Sequence, residues 1–204
     1  ENKYAKYTFS NLGGRISSVE LKGIKTYDSK PLVLFNSDSN YFGVSFFSNS
    51  LLIETQKLYF DVFIDKHNAS SSEKTIEVNG NDSLVVHCRL YPNTLDSTQD
   101  KSKYFEFAYT IYGENYMTKL SLNIVNMKSI IQDNTTSMEL TWKSKLQRLE
   151  KSYSNEHANT TIYFKDSEDV DYISETKSEK KNFTTGLKWV SFKQHFFSST
   201  LIAS

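Results

Sequence analysis

The chain has 204 residues, room for one large domain or two small ones, and its 24 Lys+Arg exactly offset its 24 Asp+Glu. Zero formal charge removes any global field that would steer the chain towards nucleic acid or acidic lipid. The single cysteine, Cys88, excludes a disulfide framework and argues against a cysteine-based metal site.

In chain order, period two dominates. Ala5, Tyr7 and Phe9 alternate with polar residues up to the turn Asn11-Leu12-Gly13-Gly14, and residues 16–21 follow as a second strand. Phe42, Val44 and Phe46 alternate, then Leu58, Phe60, Val62 and Ile64, then Leu84, Val86, Cys88 and Leu90. Further runs are Phe105, Phe107, Tyr109 and Ile111, then Leu120, Leu122 and Ile124, then Met138, Leu140 and Trp142. Residues 79–82 and 113–115 are hairpin turns between such runs. Residues 143–156 form a loop or short helix, and 165–182 a charge-dense connection with a strand candidate at 170–173. Ten or more strands with almost no helix predict an all-β, antiparallel sandwich. With no internal repeat or interdomain linker, residues 1–204 are expected to form one domain.

The last residues break the pattern. Trp189, Phe192 and Phe196 recur at helical spacing, with Val190, Phe197 and Leu201 as a second row, so residues 186–204 are expected to be an amphipathic C-terminal helix. Such a helix lies either on the body of its domain or on the outer edge of a membrane. Trp189, Phe192, Phe196 and Phe197 are therefore the expected helix-packing or interface residues. A chain that opens in a strand and stops inside a helix reads as a piece of something longer. No apolar run approaches the roughly 18 residues of a membrane span, and the opening residues are not a signal peptide.

Chemistry is sparse. His67, His87, His157 and His195 are scattered without metal-ligand spacing, and His87 is out of phase with Val86 and Cys88, so it faces solvent or a groove. No nucleophile elbow, phosphate loop or dinucleotide fingerprint occurs. Asp166, Glu168, Asp169 and Asp171 lack the Gly and terminal Glu of a calcium loop and read as a solvated acidic loop. Asn-x-Ser/Thr triplets at Asn68, Asn81, Asn134, Asn159 and Asn182 are expected by chance in so Asn-, Ser- and Thr-rich a chain. No metal, cofactor or sugar turnover is expected.

Two stretches carry a resemblance. Residues 7–22, Tyr-Thr-Phe-Ser-Asn-Leu-Gly-Gly-Arg-Ile-Ser-Ser-Val-Glu-Leu-Lys, with Lys30-Pro31-Leu32-Val33-Leu34-Phe35, resemble the opening of the large periplasmic domain of the YidC family. Residues 189–199, Trp-Val-Ser-Phe-Lys-Gln-His-Phe-Phe-Ser-Ser, look like the segment before that family's second transmembrane helix. Order and separation match, so the resemblance covers essentially the whole chain. It implies a galactose-mutarotase-like β-supersandwich on the periplasmic face of a Gram-negative inner membrane. It also implies a role in inserting and folding membrane proteins, alone or beside the Sec translocon, with translocon components and nascent membrane proteins as partners. The family's substrate groove lies in transmembrane helices absent from these residues, so the fragment's own role is accessory and non-enzymatic. Two other readings are a carbohydrate- or peptide-binding module, since aromatic side chains such as Trp142 stack on sugars, and a sugar epimerase. The epimerase needs a His and a carboxylate converging on one sugar, a pair the sequence does not place.

Overall fold

Residues that alternate apolar with polar bury one face of a pleated strand, and the computed structural model shows that pattern as strands almost throughout. It describes residues 1–36, 40–48, 51–65, 75–92, 100–128, 130–131, 137–167, 169–173, 175 and 178–204. His67, Asn68, Asn134 and Glu168 lie outside the described residues. The first strands are β1 (Ala5–Ser10), β2 (Arg15–Lys25), β3 (Pro31–Phe35), β4 (Asn40–Ser48) and β5 (Leu51–Glu54). Next come β6 (Asp61–Ile64), β7 (Ser83–Leu90), β8 (Tyr104–Tyr112), β9 (Thr118–Val125) and β10 (Glu139–Ser144). One short helix, α1 (Tyr153–Ala158), precedes β11 (Thr161–Lys165), β12 (Val170–Ile173), β13 (Trp189–Lys193) and β14 (Ser198–Ile202). The sheets run β1-β2-β3, β10-β4-β5, β6-β7-β8-β9 and β12-β11-β13-β14. The all-β, antiparallel, sandwich-like architecture expected from the sequence is the one observed.

The chain divides into two compact units, the first comprising Glu1–Gly23 with Phe35–Lys145 and the second Ile24–Leu34 with Leu146–Ser204. In the first unit, β8 sends Phe105, Phe107, Tyr109 and Ile111 to one face, each at most 4% exposed. Val86 and Cys88 of β7 stand opposite Tyr109 and Phe107, and Val44 and Phe46 of β4 join the same cluster. Phe46 stacks on Phe105 at 5.7 Å and Phe42 meets Phe107 edge-on at 5.9 Å, which locks the two sheets face to face.

Gly14 shows why the turn after β1 is glycine. Its φ is +58°, and a Cβ there would lie 2.7 Å from the Phe60 ring and 3.0 Å from Cys88 Cβ. Its carbonyl accepts a hydrogen bond from the buried Tyr109 hydroxyl at 3.1 Å, tying the turn to the middle of β8.

The C-terminal helix expected over 186–204 is not formed: the segment is a β-hairpin, with β13 paired to both β11 and β14. The three aromatics at helical spacing coincide with a period-two pattern. Val190 and Phe192 share one face, Trp189, Ser191 and Lys193 the other, and in β14 Ser199 and Leu201 are more buried than Ser198, Thr200 and Ile202. Trp, Val, Phe, Ser, Thr and Ile are indifferent helix formers but suit a pleated surface, and β11 offers a ladder that a helix would leave unpaired. The connection expected at 165–182 does hold a strand at Val170–Ile173, and α1 is the short helix allowed for near residues 143–156.

Gly14→Ala should destabilise the fold by about 2–4 kcal/mol, through combined backbone strain and overpacking, in urea unfolding followed by circular dichroism. An unchanged midpoint would refute the close packing at this turn. Burial pushes the Cys88 thiol up to about 12, with the Glu106 carboxylate adding to the shift. The thiolate is the reactive form, so a thiol-specific reagent at neutral pH should label Cys88 only as the protein unfolds. Rapid labelling of the native protein would contradict its burial.

Candidate functional site

In the second unit, β13 is held by ladders on both sides, and a buried polar network holds the loop that follows it. Gln194, 5% exposed, donates from Nε2 to the Gln147 carbonyl at 2.7 Å, and its backbone N–H donates to the Phe197 carbonyl at 2.7 Å. Glu156 of α1, also 5% exposed, accepts from the Leu149 N–H at 2.8 Å and lies 3.5 Å from Gln194 Nε2. The loop between β13 and β14 is thus pinned to residues 147–156, and His195 adds a contact to Glu150 at 3.2 Å. Ser152 caps α1 by accepting from the Asn155 N–H at 3.3 Å.

This arrangement makes a shallow depression of about 560 Å³ on the outward face of the hairpin. Trp189 and Tyr163 line its floor, Phe196 and Phe197 its loop side, and Lys193 and Thr200 supply polar groups. Ser191 Oγ and Thr200 Oγ1 are 2.8 Å apart across the two strands. Of the four aromatics expected to act together, the structure gathers Trp189, Phe196 and Phe197. Phe192 points to the opposite face, alongside Val190 and across from Ile162. On that inner side Phe164, 2% exposed, packs against Phe183 at 4.7 Å, with the Lys181 ammonium over its ring at 4.6 Å. Lys181 also pairs with Asp171, so that carboxylate of the acidic loop serves an ion pair.

A second cluster lies in the first unit, on the face of β6-β7-β8-β9 turned away from its core. Glu106 is 3% exposed, and its Oε1 accepts from Arg89 Nε at 2.6 Å and lies 2.9 Å from His87 Nδ1. Its Oε2 accepts from Asn123 Nδ2 at 2.8 Å. His87 Nε2 reaches Asp65 at 3.0 Å, the ring stacks on Phe63 at 5.2 Å, and Arg89 lies over Tyr104 at 4.2 Å. Burial alone would raise the Glu106 carboxyl, but the hydrogen bonds from Asn123, Arg89 and His87 outweigh it and hold the group below its ordinary value of 4.5. His87 faces outward as its strand phase required. The His–carboxylate pair that the sequence could not place exists here, yet both Glu106 oxygens are occupied by side chains of its own sheet. The only early signal was the buried-length alternation of β8 with a Glu inside it; Arg89 and Asn123 become its partners through register alone.

Residues 1–204 match the YidC periplasmic domain family. The chain belongs to that family. Among relatives, it is 32% identical over 196 residues to the membrane protein insertase YidC of Porphyromonas gingivalis, covering 95% of this chain and 28% of the relative. It is 28% identical over 204 residues to that of Bacteroides fragilis, covering all of this chain and 29% of the relative. To that of Cytophaga hutchinsonii it is 26% identical, over 98% of this chain and 29% of the relative. The chain therefore spans under a third of the length of the curated relatives it matches. No solved structure matches it. The periplasmic-domain assignment agrees with the resemblance of residues 7–22 and 189–199, and it covers both compact units. Among the described residues, no helix is long and apolar enough to cross a membrane.

Glu106→Gln should cost about 2 kcal/mol at neutral pH, because Arg89 and His87 lose a charged acceptor in a nearly closed site. A carboxyl lowered on folding stabilises above its unfolded value and loses that contribution as the pH falls through the folded value. The wild-type stability curve should therefore drop below about pH 4.5 more steeply than that of the Gln variant. Identical acid limbs would show that Glu106 contributes nothing through its charge.

Proposed function

We propose that the 204 residues act as one non-enzymatic periplasmic domain of a YidC-type insertase, at the periplasmic face of the bacterial inner membrane. In this reading the domain assists insertion and folding of inner-membrane proteins, alone or beside the Sec translocon. Its partners are nascent membrane proteins, translocon components and the membrane-embedded remainder of the insertase, and no nucleic acid is involved. The observation that carries the reading is the family match from the first residue to the last, together with relatives that are all named membrane protein insertases.

Two features of the geometry support an accessory rather than a catalytic role. Glu106, the most buried carboxylate of the His87 cluster, has its oxygens taken by Arg89, His87 and Asn123. A group so committed orders a sheet face and is poorly placed to exchange protons with a substrate. On the last hairpin, by contrast, the exposed ring of Phe196 and the half-buried Trp189 and Phe197 line one open depression, with Ile202 exposed beside them. Trp189, Phe196 and Phe197 form the proposed contact surface, and Phe192 supports it from the inner face.

The test uses a full-length insertase carrying this domain in a strain depleted of its own. Paired substitution Phe196→Ala and Phe197→Ala should slow insertion of a reporter membrane protein, scored by protease access to its periplasmic loop, at matched insertase levels. Tyr59→Ala, which removes a 70%-exposed aromatic from the first unit, should leave insertion unchanged. Equal insertion by both variants and by an insertase lacking residues 1–204 would place the insertion role entirely outside this domain.

A further inference from the structure

The outward face of the sheet β12-β11-β13-β14 has an unusual composition for a solvent-facing surface. Register sets Lys165 beside Trp189 and Trp189 beside Ile202, then Tyr172, Tyr163, Ser191 and Thr200 in the next row. Lys193 and Ser198 form a third row. Tyr172 is 55% and Val170 53% exposed, and Phe196 projects from the adjoining loop with its ring stacked on His195 at 4.1 Å. Among the described strand positions of this face two are lysines and none is acidic, although the chain as a whole carries no net charge. Asp171 pairs with Lys181 and Glu150 with His195, while Asp166 and Asp169 lie in the connection between β11 and β12, off the strand positions of the face.

The geometry points to this face as a docking surface for an anionic phospholipid bilayer. Trp and Tyr favour the headgroup level, where an apolar ring and a polar tip are both satisfied, and Ile202, Val170 and Phe196 supply apolar area able to enter the acyl boundary. Lys165 and Lys193 complement the negative headgroups, and no carboxylate shares the described strand positions of the face with them. The short-range field of these two lysines decides the interaction, since charge more than a Debye length away is screened. A soluble glycan or an apolar peptide would also find aromatic rings here, but neither accounts for strand positions that carry two lysines and no acid. The inference goes beyond the insertion role and stands independently of it, because it concerns only this chain and lipid.

The 204-residue chain is sedimented with sucrose-loaded vesicles of phosphatidylethanolamine and phosphatidylglycerol, and with vesicles of phosphatidylcholine alone. Binding should be seen with the anionic vesicles, fall with added salt, and be weak on phosphatidylcholine. The double variant Lys165→Glu/Lys193→Glu should reduce partitioning about tenfold or more, as expected from the per-lysine contribution at an anionic surface. Phe196→Ser/Ile202→Ser, at two exposed positions, should reduce it by a similar factor while urea unfolding stays unchanged. Tyr59→Ser in the first unit should bind like the parent. Failure of the parent chain to bind anionic vesicles overturns the inference. So does equal binding by the face variants and the parent, or binding of a soluble oligosaccharide or apolar peptide at this face without vesicle binding.

Discussion

Strand β13 is hydrogen-bonded along both edges, to β11 on one side and β14 on the other. In that position Trp189, Ser191 and Lys193 must face one way and Val190 and Phe192 the other, because successive side chains of a strand alternate. Everything distinctive about the second unit follows from this commitment. The outward row makes the floor of the depression, and the inward row completes a small core around Phe164. Ser198 to Ile202 can then close the sheet edge only as a partner strand. Gln194 and Glu156, both buried and mutually close, fix where the chain turns back.

The first unit obeys a plainer constraint. Phe105, Phe107, Tyr109 and Ile111 fill one face of β8, and the strands on either side are in register with it, so a one-residue slip would exchange this stripe for Glu106 and Ala108. Glu106 tolerates burial on the other face because three donors surround it. The same strand therefore specifies a hydrophobic interior and a satisfied polar exterior. Gly14 closes the arrangement at a point where a side chain would strike Phe60.

Much of this was legible in the residues and some was not. Period two from Ala5 to Trp142 disclosed most strands of the first unit, since antiparallel sheets with one buried face write their orientation into alternation. Thr161–Lys165 shows little alternation in sequence because Tyr163 stands between Ile162 and Phe164 and blurs the contrast between faces. The last hairpin mimics a helix in sequence because aromatics at 189, 192 and 196 satisfy a helical period by coincidence over so short a segment. The partners of β13 in β11 lie 24 to 32 residues upstream, from Lys165 opposite Trp189 to Thr161 opposite Lys193, and local spacing carries no trace of them. In the strand conformation Trp189, Phe196 and Phe197 come together along one depression and Phe192 turns to the opposite face. Family membership was readable regardless, because it rests on residue identity and not on the conformation assigned to it.

Backbone NMR of residues 186–204 in the 204-residue chain tests this account most directly. Strand pairing predicts upfield Cα shifts through 189–193 and 198–202, with cross-strand contacts between Ser191 and Thr200 and between Ser191 and Tyr163. Downfield Cα shifts, with contacts between residues three apart and none across to β11, would contradict it, since they would mean a helix and dissolve the outward face on which the functional reading depends.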